Sequence, residues 1–480
     1  MTGDEYLASL RDGRKVVFRG ELIDVTTHPR FAAVHDIAKG YDEAAKRADD
    51  GAAGSARSFP QSTEDLRHEM AVMSHLESTV KVTRLALLGL HTAAGRMSAA
   101  HPEYQRRIES FIGHCDRNDL RVVPAITDAK GNRAVGPGKQ HDPDSFVRVI
   151  DKNDEGITIT GAKLHVTNAA FSHELLVMPT KQMKPGEEQW AVACAVPANS
   201  KGVVVLNAVP GADPADSAYF PHSSSPQFPY GFIVFDQVFV PWERVFLCGE
   251  TVPTGAFAHS LGLWLRLDTA AVQSDESDML VGLAQLLAEA NGADKIPHIR
   301  DKIAELILDA TVVRAGFEAA LAAARITSDG FASPDELYTN MAKYFATVNM
   351  PKAYAIVQDI AGALIITAPM PEDLHNPLTA AYVEKYMTAR PDINGTDRAR
   401  LFHAARDIAA DASAGNRQVT YMHGGGGLYA QRLVARRHYD MSRAKRLALA
   451  AAGLDGEPFG SPSPGPSADN DQPFPGTISG

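Results

Sequence analysis

The chain has 480 residues, 45% hydrophobic and 22% charged, the balance of a globular protein large enough for two to four packing units. A formal net charge of -11 argues against nucleic acid or an anionic membrane as the main partner, because phosphate binding needs a basic surface. The three cysteines, Cys115, Cys194 and Cys248, are far apart and form no CxxC pair, so neither a disulfide framework nor a cysteine-built metal site is expected.

Met1 to Lys15 carries acids and no apolar core, unlike a signal peptide, so a cytoplasmic location is expected. From Ser62 to about Cys115 the pattern is helical: Leu66, Met70, Met73 and the run from Leu76 recur at steps of three and four, behind a capping segment at Thr63. Between Asp119 and Phe246 short β-rich runs alternate with Gly, Pro and Asp clusters, as strands of a compact barrel or sandwich would. Beyond Thr254 the chain returns to helix as far as Ala452. Ile299, Ile303, Leu306, Ala310, Val313, Phe317 and Ala320 mark the seam of one long bundled helix. The longest apolar run, Ile360 to Met370, is too short for a bilayer and is broken by Pro369. Gly456 to Gly480, rich in Pro, Gly and Ser, reads as a disordered tail. The expected domains are therefore 1–118 (helical), 119–250 (β), 251–455 (helical bundle) and 456–480 (tail), an α+β chain.

The common nucleotide loops, GxGxxG after a strand and GxxxxGK, do not occur. Neither does HExxH, and the one Glu-x-x-His, Glu372 to His375, lacks the second copy of a di-iron bundle. His423 and the four glycines after it resemble an esterase oxyanion motif, but no GxSxG elbow accompanies them.

Four segments have the chemistry to hold a cofactor. Thr127 to Arg133 offers Lys130, Arg133 and loop N–H groups to a pyrophosphate or flavin edge, although taken by itself it reads first as a hairpin turn. Gly161 to Asn168 leads a strand into His165, Thr167 and Asn168, whose donors suit a heteroaromatic ring, although a lone strand histidine is more often structural. Gln358 to Gly362, with Asp359, lets a sugar or adenine approach the backbone, or simply allows close helix packing. His423 to Gly427 opens a helix whose N–H groups suit an anion, or is a mobile turn. A basic run from Arg432 to Arg446 could meet a phosphate.

Together these segments, with Thr63 to Arg67, Asp142 to Asp144, Phe235 to Pro241 and Asn291 to Ala293, resemble the 4-hydroxyphenylacetate 3-hydroxylase family, which also holds 4-hydroxybutyryl-CoA dehydratase. The likeness runs from Met1 to about Leu454. It implies the acyl-CoA dehydrogenase-like fold (helical domain, β-barrel-like domain, four-helix bundle) in a homotetramer or dimer that binds FAD between domains. By that resemblance Thr127, Arg133, His165, Thr167, Asn168, Asp359, Gly362 and His423 would line the flavin site, with His165 and His423 as catalytic candidates. The dehydratase branch holds a [4Fe–4S] cluster through cysteines and a histidine, where this chain has Thr83, Leu87, Leu265 and Val272, none able to ligate iron. The phenol hydroxylase branch uses an Arg, a Tyr and a His, where Thr83, Leu87 and Pro124 stand. The expected chemistry is that of a two-component monooxygenase: FADH2 from a separate reductase, O2, and a small organic acceptor beside Thr83, Leu87, Trp264 and Leu265. Its rivals are a cluster-free flavin-dependent acyl-CoA isomerase or dehydratase-like enzyme, and a non-catalytic flavin-binding paralogue.

Overall fold

The computed structural model describes residues 1–49, 59–129, 131–209, 220, 222–223 and 228–454. Lys130 and the expected disordered tail from 456 onward lie outside the described residues.

A first helix, α1 (Gly3–Ser9), is closed by a capping box in which Thr2 and Glu5 exchange bonds. Strands β1 (Lys15–Phe18) and β2 (Glu21–Leu22) follow, then α2 (Ala33–Asp49), α3 (Thr63–Met73), α4 (Ser78–Met97) and α5 (Pro102–Asn118). The sequence reading expects a helical domain over 1–118, and the structure adds two short strands to its N-terminal part. β1 lies parallel to a strand of the central module, with Val16 and Phe18 in the core, a long-range pairing that no local pattern announces.

The central module contains β3 (Val122–Ala125), β4 (Thr127–Asp128), β5 (Arg148–Lys152), β6 (Gly156–Thr167), β7 (Glu174–Val177), β8 (Val192–Pro197), β9 (Val203–Ala208), β10 (Tyr230–Pro241) and β11 (Val245–Cys248). Among the described residues they form two sheets, β2-β1-β9-β10-β6-β4 with β5 on β6, and β11-β8-β7-β3. β7 and β8 are buried throughout or nearly so, and read as continuous apolar runs. β10 alternates, with Ile233, Phe235, Val238 and Val240 inward and Phe232 and Phe239 exposed. The shared core between the sheets joins Val123, Ile159, Leu175, Cys194 and Phe235.

A helical region completes the chain. Its long members are α6 (Thr254–Ala290), α7 (Pro297–Ala322) and α8 (Glu336–Ala361). The shorter ones are α9 (Leu364–Thr367), α10 (Pro371–His375), α11 (Ala380–Met387), α12 (Gly395–Ala409), α13 (Ala412–His423), α14 (Leu428–His438) and α15 (Met441–Ala451). On α7 the buried positions Ile299, Ile303, Leu306, Ala310, Val313 and Ala320 follow the predicted seam. Among the described residues no helix is long and apolar enough to cross a membrane.

Candidate functional site

The strongest local signal lies at the end of β6. Gly231 pairs with Val166 and Ile233 with Lys163, so Leu164 and His165 together face Phe232: a β-bulge. His165 occupies left-handed space at φ 59° and its imidazole is exposed. Asn168, at φ 63°, repeats that conformation three residues later. Two non-glycine residues in this region within four positions store strain, and a bulge re-aims the side chain it carries. Asn168 is fully buried. Its Nδ2 donates to Ser78 Oγ on α4 at 3.1 Å, while its Oδ1 has no hydrogen-bond partner among the described residues. Thr127 joins the same edge, because β4 pairs Thr127 with Leu164. Arg133 is exposed on a turn stitched by Gln140, whose Nε2 donates to the carbonyls of Asn132 and Val135.

Lys163, beside this edge, is buried with Asp128 at 2.7 Å, and also donates to the carbonyls of Ile126 (3.0 Å) and Met178 (2.8 Å). Asp128 in turn accepts from the Val147 N–H, so β4, β6, β7 and the Asp142–Val147 turn meet at one ion pair. The group is saturated, and it positions the edge.

Asp359, Gly362 and His423 belong to the bundle. Asp359 is exposed and paired with Lys302 of α7, and Gly362 caps α8 at φ 66°. His423 ends α13, exposed, and leads into the glycine run. Gly425 and Gly426 adopt φ 66° and 97°; a Cβ on Gly425 would meet Arg266. Arg266 Nε donates to the Gly425 carbonyl and Gln431 Nε2 to that of Gly426, both at 2.8 Å, so the loop before α14 is anchored from below. Thr127, His165, Thr167 and Asn168 thus share one sheet end, while Asp359, Gly362 and His423 sit on the helical region of the same chain.

The four residues expected around the acceptor are mostly committed to packing. Thr83 Oγ1 accepts from the Val122 N–H at 2.9 Å and donates to its carbonyl at 3.2 Å. Trp264 is fully buried with its indole N–H on Thr92 Oγ1, and Leu87 is buried in the core. Leu265 is half-buried between two clusters.

An open cavity of about 270 Å³ is walled by Met70 and Ser74 of α3, Lys81 of α4, and Asp268, Val272, Glu276 and Met279 of α6. A void of about 150 Å³ already holds benzene, so one aromatic ring with its substituents fits. Lys81 pairs with Asp268 at 2.9 Å. Burial raises the Asp268 carboxyl above its ordinary value, opposed by Lys81. Burial also raises Glu276, opposed by Arg417 and by the Tyr421 hydroxyl, which donates to Oε1 at 2.7 Å. Glu276 Oε2 is buried with no hydrogen-bond partner among the described residues. Lys81 stands three residues after Ser78, about 4.5 Å of helix rise, so α4 carries both a cavity residue and the side-chain partner of Asn168. Sequence reasoning missed Lys81, Asp268 and Glu276. Of these, Asp268 and Glu276 stand eight residues, about two turns, apart on α6, a spacing that brings them to one face of the helix.

The N-terminal model of 4-hydroxyphenylacetate 3-hydroxylases matches residues 2–247, and the C-terminal model matches residues 254–453. The chain belongs to the 4-hydroxyphenylacetate 3-hydroxylase family. Among curated relatives of this family, it is 29% identical to a 4-hydroxybutyryl-CoA dehydratase/vinylacetyl-CoA-Δ-isomerase of Clostridium aminobutyricum, over 82% of this chain and 84% of the relative. It is 28% identical to the oxygenase component of a 4-hydroxyphenylacetate 3-monooxygenase of Thermus thermophilus, over 88% and 90%. An archaeal 4-hydroxybutyryl-CoA dehydratase from N. maritimus superposes with a TM-score of 0.82 at 26% identity, covering 96% of this chain and 97% of that one. The oxygenase component of a 4-hydroxyphenylacetate 3-monooxygenase, complexed with FAD, gives 0.81 at 24%, covering 94% and 98%. The fold of the family, acyl-CoA dehydrogenase-like, is the fold of this chain.

Proposed function

We propose that this chain is the oxygenase component of a two-component, FADH2-dependent monooxygenase acting on a small aromatic or related acceptor. The observation that carries this reading over the dehydratase one is the donor set of the cavity. Val272, where that branch places a cluster thiolate, lines it, while Cys115 and Cys194 are buried elsewhere and Cys248 ends β11. Among the described residues no cysteine lines the space.

The bulged edge fits a flavin. His165, Thr167 and Asn168, with Thr127, would hydrogen-bond the ring system, and the free Asn168 Oδ1 is an acceptor awaiting a donor. Asp359 and Gly362 of a second copy, in a dimer or tetramer, would hold the nucleotide end, and the anchored loop at His423 would close over the ring. When bound, reduced FAD supplies the electrons by which one oxygen atom of O2 enters the acceptor and the other leaves as water. The chain's own part is to hold the acceptor and to move its proton, for which Glu276 Oε2 and Asp268 are poised by burial that raises both carboxyls. A separate reductase is the partner this chemistry requires.

The similarity to the Clostridium dehydratase supports a second reading, a cluster-free isomerase or lyase of CoA esters. Anaerobic loading with FADH2, followed by labelled O2 and a panel of phenols, heteroaromatics and acyl-CoA esters, separates the two. Label in one product is expected. Oxygen-independent turnover of a CoA ester would replace the proposal with the second reading, and failure to bind oxidised or reduced flavin would remove both.

A further inference from the structure

We propose that His259, Glu336 and His438 form a site for one divalent transition metal of the zinc class, which pins α14 to the bundle. The three come from the first turns of α6, the first residue of α8 and the last residue of α14, and their ligand atoms lie within 4.8 Å of one another. Both rings turn Nε2 toward the same oxygen, Glu336 Oε2: His438 at 3.1 Å, His259 in closer contact. The rings are parallel, with centroids 5.6 Å apart. All three side chains are at most 15% exposed.

The surroundings orient these donors. Arg96 holds the other carboxylate oxygen, Oε1, at 2.6 Å, and is itself fixed by a bond to Ser260 Oγ. An outer partner on one oxygen leaves the second directed at the metal position. A neutral imidazole offers a ring-nitrogen lone pair, and both rings present Nε2 to the same point. Two imidazoles turned on one oxygen compete for it, whereas a cation between them engages all three donors at once. Two nitrogens and one oxygen, with water as fourth ligand, is a zinc-type tetrahedral set. Arg96, Arg266 and Arg437 add positive charge around the group. That charge opposes any cation, so the site depends on strong ligand bonds: the two imidazole nitrogens disfavour Mg2+ and Ca2+, which need oxygen-rich cages, and favour metals bound through imidazole. α14 follows directly on the glycine run, so the site would fix the far end of the helix whose near end carries that loop. None of the three ligands lines the 270 Å³ cavity.

The full-length protein, stripped with a chelator, is titrated with Co2+ and competed with Zn2+. One Co2+ per chain with visible d–d absorption is expected, displaced by Zn2+, together with a higher Tm in Zn2+ than in chelator. His259→Ala and His438→Ala, checked for native circular dichroism, should each weaken Co2+ at least about 100-fold. Should an alanine variant misfold, His438→Gln on the part-exposed helix end replaces it. Absence of the absorption band, or unchanged affinity in the ligand variants, would overturn the site and leave a purely structural His–Glu–Arg network.

Discussion

Among the described residues two lysines are buried, and their surroundings could hardly differ more. Lys163, in the β-module, is 1% exposed and meets a carboxylate and two carbonyls within 3.0 Å. Lys343, on α8 inside the bundle, is 0% exposed, and its Nζ has no hydrogen-bond partner among the described residues. On α6 and α8, Gln273 Nε2, Ser274 Oγ, Thr339 Oγ1 and Asn340 Oδ1 are also unpartnered among the described residues. Burial and the nearby Arg266 push Lys343 down to about 7. The module that presents the bulged edge is therefore locked by a satisfied charge pair, while the bundle tolerates an unsatisfied polar layer next to the anchored glycine loop. Rigidity is placed where strain must be held.

The sharpest way to break this contrast is to remove one partner of the satisfied pair. Lys163→Met leaves Asp128 buried and uncompensated, and should cost about 3–5 kcal/mol in urea unfolding. It should also lower flavin affinity, because β4 and β6 lose their common anchor. A loss below about 1 kcal/mol would show that the pair is not what locks the module.

How much of this was legible beforehand follows from the range of the interactions. The order of helices, strands and bundle, and the seam of α7, are local periodicities and could be read directly. So could His165, Thr167 and Asn168 as a donor-bearing strand end. The bulge that turns His165 outward could not, because it exists only in the register of β6 against β10. β1 was hidden for the same reason. Trp264 looked like a pocket wall by its place in the chain, but only the packed structure shows Thr92 taking its indole N–H. The cavity acids and the His259–Glu336–His438 cluster are assembled from separate helices, and no spacing rule announces such a set.

The unsatisfied lysine makes a smaller, pH-dependent prediction. Lysine titrates near 10.4 in an unfolded chain, and Lys343 near 7 in the folded one, so between these values the unfolded state binds the extra proton. Stability should therefore rise with pH from about 7 to about 10, by up to about 1.4 kcal/mol per pH unit from this group alone. Below about pH 7 both states are protonated and the contribution vanishes. Lys343→Met should flatten the slope, read as the difference between wild-type and variant urea midpoints at each pH. Identical slopes would mean that the amino group finds a partner in solution.

The smallest effect concerns the strain itself, and its value lies in its sign. His165 pays for a left-handed backbone that glycine adopts freely, so His165→Gly should stabilise the fold by up to about 1 kcal/mol. If the bulge exists to aim the imidazole at a flavin, the same change should weaken flavin binding while Tm rises. A purely structural histidine would move both quantities together, or neither. His165→Asn, which keeps a left-handed preference and a polar tip, should retain the wild-type stability and recover part of the affinity. Opposite movement of stability and binding in the glycine variant, with partial rescue in the asparagine one, is a pattern that loss of packing cannot imitate, because the imidazole is already exposed.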